Sequence, residues 1–124
     1  MPDNTDKYNE IKTDGDILIM VITKPITQEG YNDNFLPAFK SIIEKYGAVK
    51  TLVHYKDCQG WEQEASFDDL KSIAEYGKYL TKYAFINPPS KEVFKAQLSK
   101  DMLPGEMRVF TEDQYDEAMA WLKE

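Results

Sequence analysis

The feature that most narrows the fold is a run of six apolar side chains, Ile17-Leu18-Ile19-Met20-Val21-Ile22. It is far shorter than the ~20 residues a membrane-spanning helix needs. It also shows no alternation of apolar and polar residues, so it reads as a strand covered on both faces. Such strands belong to α/β proteins, whose sheets carry helices on each side. The centre of the sheet is its expected place.

The flanking signals supply the rest of that sheet. Tyr8 to Lys12 forms a shorter strand, and the intervening Thr13-Asp14-Gly15-Asp16 carries an Asp-Gly pair that tolerates positive φ in a tight hairpin. Phe35, Leu36, Phe39, Ile42, Ile43 and Tyr46 recur at helical spacing, and Gly47 follows as a left-handed terminator. Pro37 lacks an N–H, which is harmless only in a first turn. Asn34 is therefore the expected cap of this first helix, with Thr27 to Asp33 as an earlier turn; a kink near Asp33 is the alternative.

Thr51 to Tyr55 is the next strand, and the strand–helix–strand order demands a parallel crossover. Ser66 with Asp69 resembles a capping box that opens a second helix, with Phe67, Leu70, Ile73, Ala74 and Gly77 facing inward. Tyr83 to Ile86 returns as a strand. Pro88-Pro89-Ser90 stops it and caps a third helix bearing Val93, Phe94, Gln97 and Leu98, which ends near Pro104-Gly105. Met107 to Phe110 is the last strand. Thr111 and Gln114 then form a T-x-x-Q capping box before a final helix with Tyr115, Ala118, Met119 and Leu122 inward. The order ββαβαβαβα predicts one domain over residues 1–124, a mixed and mainly parallel five-stranded sheet, with residues 1–5 as a disordered tail.

Charge excludes several functions. With 22 acidic and 15 basic residues the chain carries −7, the wrong sign for neutralising a phosphate backbone, so nucleic acid is not an expected partner. The same charge disfavours electrostatic adsorption to anionic membranes and leaves only insertion of an apolar patch. The single Cys58 has no partner for an internal disulfide, and the start Met1-Pro2-Asp3-Asn4-Thr5-Asp6 lacks the basic region of a signal peptide. A cytoplasmic location is expected.

Ligands of open α/β sheets meet the loops at the carboxyl ends of the strands. Three segments qualify: Thr23 to Gly30, Lys56 to Ala65 and Asn87 to Ser90. The second holds Asp57, Cys58, Gly60 and Trp61, with His54 just before it. A Cys nucleophile needs a base in reach, but no thiol-enzyme signature accompanies His54 and Cys58, and a strand histidine packed on a helix is the simpler reading. One His and one Cys fall short of a zinc ligand set, and no metal is expected. The paired acids Asp68 and Asp69, or Glu62 and Glu64, sit near a helix start, where the dipole favours negative charge. Neither G-x-G-x-x-G nor G-x-x-x-x-G-K-[ST] occurs, so no cofactor is expected.

Apolar residues on or near the second and third helices are more informative. Trp61, Phe67, Tyr79, Phe85, Phe94, Met102 and Leu103 form a set that is mostly core but leaves a surplus, and Met102-Leu103 beside Pro104-Gly105 puts large apolar groups at a helix end where burial is hard to complete. Such a patch lines a pocket or touches a membrane.

The stretch Val49 to Trp61, the following Phe67-Asp68-Asp69-Leu70-Lys71, the C-terminal Glu106-Met107-Arg108-Val109-Phe110 and Glu117-Ala118-Met119-Ala120-Trp121-Leu122, and the segment Leu36-Pro37-Ala38 through Tyr46-Gly47 together resemble the SpoIIAA-like family of small bacterial STAS-related proteins. The resemblance runs from about Asp16 to the end. It implies a STAS-like fold with no established activity and a nonpolar ligand held between the middle helices and the sheet, with Trp61, Phe67 and Leu70 the matching positions. Two departures stand out. The turn Asp57-Cys58-Gln59-Gly60 lacks the phosphorylatable serine of anti-sigma-factor antagonists, and Phe85-Ile86-Asn87-Pro88-Pro89 replaces an apolar run ending in Gly-Asp.

The expected function is thus non-catalytic: a module binding a small lipid-like ligand through Trp61, Phe67, Leu70, Phe85, Phe94, Met102 and Leu103, with transient membrane contact. The alternative is a regulatory module that binds a protein partner or a second copy through Asp57, Cys58 and Gly60.

Overall fold

The computed structural model describes residues 9–56, 63–90, 93, 97 and 103–124, the side chains of 63–67 and 70 excepted. The expected tail over residues 1–5 and the expected strand start at Tyr8 lie outside that set. Strands β1 (Glu10–Asp14) and β2 (Ile17–Ile22) pair antiparallel, with Asp14 opposite Ile17. The two turn residues are therefore Gly15 and Asp16, and Gly15 holds φ +61. A glycine at the first central position makes the turn whose twist matches the strands it joins.

The first helix departs from its expected start. Thr27, not Asn34, is the cap: its side chain accepts the Gly30 N–H at 2.9 Å, opening α1 (Gln28–Gly30). The helix widens over Tyr31–Phe35, where the Leu36 N–H bonds the Tyr31 carbonyl five residues back, and continues as α2 (Leu36–Tyr46). Pro37 accounts for this. Its missing N–H and its ring cannot accommodate the carbonyl four residues earlier, and a wider turn carries the chain past it without ending the helix. Gly47 ends α2 at φ +79, as its sequence position predicts.

The next elements are β3 (Val49–Tyr55), α3 (Gln63–Tyr76) running into a short turn over Gly77–Tyr79, and β4 (Leu80–Ile86). Ser66 lies inside α3 and is not its cap, and Asp68 and Asp69 lie in its second turn, past the reach of the helix start. Ser90, Val93 and Gln97 are the described residues of a helix α4. Strand β5 (Glu106–Phe110) follows Gly105, where a Cβ would collide with the Leu80 carbonyl. The Thr111–Gln114 capping box is present and leads into α5 (Tyr115–Lys123).

The sheet order is β1-β2-β3-β4-β5, antiparallel at the hairpin and parallel elsewhere. Strand β3 is therefore central, and β2 lies one place off centre. The hairpin adds one neighbour to β2, while three successive crossovers all advance to its other side. Right-handed crossovers advancing one way place their helices on a single face. Phe39 and Ile42 of α2 pack there with Leu18, Met20, Ile22, Val53, Tyr55, Tyr83 and Leu103, and Ile73 and Tyr76 of α3 join them. Ile17, Ile19, Leu52, Ala84, Ile86 and Phe110 point the other way, against Ala118, Trp121 and Leu122 of α5. Trp121 is thus a further inward residue of the final helix, while Tyr115 and Met119 are half-buried. Each large apolar side chain so buried contributes roughly 1.5–3 kcal/mol.

Candidate functional site at the ends of β4 and β5

Adjacent strands whose outgoing connections diverge to opposite faces leave a crevice between their carboxyl ends. Strands β4 and β5 are such a pair: β4 leads into α4, whose Val93 and Gln97 line a groove with Val109, the register partner of Phe85 on the α2 face, and β5 leads to α5 on the other. The groove is about 620 Å³ and is lined by Asn87, Pro88, Ser90, Val93, Gln97, Val109, Phe110, Thr111 and Glu112. That size lies within the roughly 300–1,000 Å³ range of small-molecule sites. A second hollow, between Lys24, Thr27 and Tyr31, is about 20 Å³ and has room for one water.

Asn87 organises the groove. It stands at φ +55, in the left-handed region that glycine favours and asparagine tolerates. From there its N–H donates to the Phe110 carbonyl at 3.0 Å and its Nδ2 to the Tyr55 carbonyl at 3.2 Å. Through its backbone and its side chain, this one residue ties the ends of β3, β4 and β5. Beside the groove, Phe85 pairs with Val109 in register and meets Tyr55 and Tyr83 at ring separations of 6.5 and 6.1 Å. Val109 is 49% exposed although its neighbours on this sheet face are apolar. The walls carry amide and hydroxyl groups from Asn87, Ser90, Gln97 and Thr111 and one carboxylate, Glu112.

Glu112 also reaches through to the opposite face. His54 is 5% exposed, and its Nε2–H donates to both Glu112 carboxylate oxygens at 3.0 Å, with the Tyr115 ring 5.9 Å away. The one histidine is therefore packed under α5. Among the described residues, no group of three or more His, Cys, Asp or Glu side chains is placed to hold a metal ion.

The other polar constellation is structural. Tyr31 is buried, and its hydroxyl donates to Asp69 at 3.0 Å while Asn32 Nδ2 donates to Asp68 at 2.8 Å. Asp68 and Asp69 thus moor α3 to the widened helical turn. Burial, reinforced by the Asp69 charge, holds the Tyr31 phenol far above its ordinary range.

Of the residues expected to contact a ligand, Phe85 and Leu103 meet in the α2-face core, Phe85 half-buried and Leu103 buried. Phe67 and Leu70 belong to α3, but their side chains lie outside the described set. Asp57, Cys58, Gly60, Trp61, Phe94 and Met102 lie outside the described residues. The groove also holds Val93, Gln97, Val109, Thr111 and Glu112, which the sequence did not single out as site residues. Their signal was topological: the last two connections go to opposite faces, which is legible only once crossovers are counted.

The SpoIIAA-like family model matches residues 17–123 of this chain. Among solved structures, an uncharacterized protein with a SpoIIAA-like fold from Shewanella loihica is similar at 25% identity and a TM-score of 0.67, over 92% of this chain and 91% of that one. No curated protein matches.

Proposed function

This chain belongs to the SpoIIAA-like family, and from that membership we propose a non-catalytic binding module for a small nonpolar or amphipathic ligand, seated between the sheet and the helices α3 and α4. The observation that carries the reading is Val109, half exposed on an apolar sheet face in a groove beside the half-buried Phe85. The polar rim of Asn87, Ser90, Gln97 and Thr111 suits the hydrated end of a lipid-like molecule. No helix among the described residues is long and apolar enough to cross a membrane, so membrane contact on this reading is peripheral.

Native mass spectrometry of freshly purified protein, with thermal denaturation across fatty acids and lipids, tests the proposal. A specific ligand raises the melting temperature by mass action, by about 2.7 kcal/mol of stability at a hundredfold excess over Kd. Val109→Asp removes that shift while leaving the unliganded melting temperature close to the original. No bound species and no stabilisation by any member of the series would sink the reading, and stabilisation that survives Val109→Asp would move the ligand elsewhere.

A further inference from the structure

The two edges of the sheet are not alike. On β1 the charges are already used within the chain: Glu10 pairs with Lys12 at 3.4 Å and Asp14 with Lys123 at 3.1 Å. On β5, Glu106 is exposed and makes no ion pair among the described residues, and Arg108 lies over the Phe110 and Trp121 rings with no carboxylate partner. Among the described residues β5 pairs only with β4.

Backbone direction along β5 is set by its last residue. The Phe110 carbonyl accepts the Asn87 N–H, so it points toward the β4 side. Peptide groups alternate along a strand, which turns those of Arg108 and Glu106 inward and those of Met107 and Val109 out to the free edge. An unpaired edge of this kind is a template for another strand.

We propose that β5 pairs antiparallel with β5 of a second copy about a two-fold axis at Met107, joining two sheets into one. Residues facing each other across such a pair lie on the same face. In this register the outward groups of Met107 meet their own copies in a hydrogen-bonded pair, and Glu106 of each copy faces Arg108 of the other. Met107 and Val109 of both copies then form one apolar row. Centring the axis on Arg108 sets two guanidinium groups together, and centring it on Val109 leaves Glu106 beyond the partner strand and Arg108 against Phe110. Charge therefore selects the Met107 register. A single strand pair is a small interface, so the association is roughly micromolar or weaker, and added salt weakens it.

Sedimentation of the full chain from about 1 µM to about 1 mM tests this, with circular dichroism checking the fold of every variant. The wild type is expected to show a monomer–dimer equilibrium. Glu106→Arg, which touches neither the core nor the groove, raises the dissociation constant about tenfold or more. Combining it with Arg108→Glu exchanges the partners and restores the dimer. A wild type that stays monomeric at the highest concentration overturns the proposal, as does a dimer indifferent to Glu106→Arg or a folded double variant that does not reassociate. If the double variant does not fold, hydrogen exchange of the wild type decides: the Met107 and Val109 amides gain protection with concentration, and unchanged exchange overturns the pairing.

Discussion

The face under α5 and the face under α2 and α3 bury comparable strands by different means. On the α5 face a nine-residue helix suffices because nearly every contact is duplicated. Trp121 packs on Phe110 at 6.1 Å, Lys82 and Arg108 place their cationic groups over its ring, and Lys82 also donates to the Trp121 carbonyl. The His54–Glu112 pair closes the end of the layer. On the other face α2 is seated by the stacked ladder of Tyr31, Phe35 and Phe39, with ring separations of 5.3 and 5.7 Å, while the β4–β5 end leaves Phe85 and Val109 incompletely covered. The larger buried cluster lies on the α2 face, yet its β4–β5 end is also where apolar surface stays accessible. Ligand-binding regions are drawn from the less densely packed part of a fold.

That contrast can be broken most directly at Trp121. Trp121→Ala removes the keystone of the α5 face and is expected to lower stability by about 3–5 kcal/mol in chemical denaturation; a loss below about 1 kcal/mol would mean that α5 is not what seals this side. Next in size is Glu112→Ala, which leaves the buried His54 N–H without its acceptor and costs about 1–3 kcal/mol. A neutral result would place water at that nitrogen.

On the α2 face the expected effect is of comparable size and depends on pH. Tyr31→Phe deletes a hydrogen bond to a carboxylate and lowers neutral-pH stability by about 1.5–3 kcal/mol. Its pH signature has a definite sign. The folded state, through burial first and the Asp69 charge second, holds the Tyr31 proton above the ordinary value of 10.0. The unfolded chain releases that proton near pH 10, so the stabilisation is complete below that pH and is lost as pH rises above it. Denaturation curves from pH 8 to 11 should therefore fall more steeply in the wild type than in Tyr31→Phe. Tyr83, also raised by burial, sustains part of the slope in both.

The smallest change expected is a gain. Thr51 is 6% exposed on the apolar α2 face, and its hydroxyl has no hydrogen bond among the described residues. Thr51→Val removes an unsatisfied group and should raise stability by about 1 kcal/mol. A loss instead would reveal a partner for that hydroxyl on this face.

How much of this was legible in the chain varies by element. Local signals carried well: Gly47 ended its helix, the Thr111–Gln114 box opened the last one, and the uninterrupted apolar run became a strand buried on both faces. Signals that competed with tertiary partners did not. Asn34 donates to the Asn9 carbonyl and caps nothing, and Asp69 binds Tyr31, 38 residues away, so the apparent box with Ser66 is not used as one. The site was half visible. Asn87, Pro88 and Ser90 stand where the strand-end argument looked, whereas Thr111 and Glu112 needed knowledge of which face each connection takes.

The amino-acid sequence alone determined the α/β class, the order of strands and helices and the family, because hydrophobic period, turn residues and caps act over a few residues and do not wait for the rest of the chain. Only the tertiary structure decided that β3 is central, that α5 packs on the face opposite α2, and that Val109 and Glu112 share a groove. Those outcomes depend on the direction in which successive crossovers advance, and no local pattern encodes that direction.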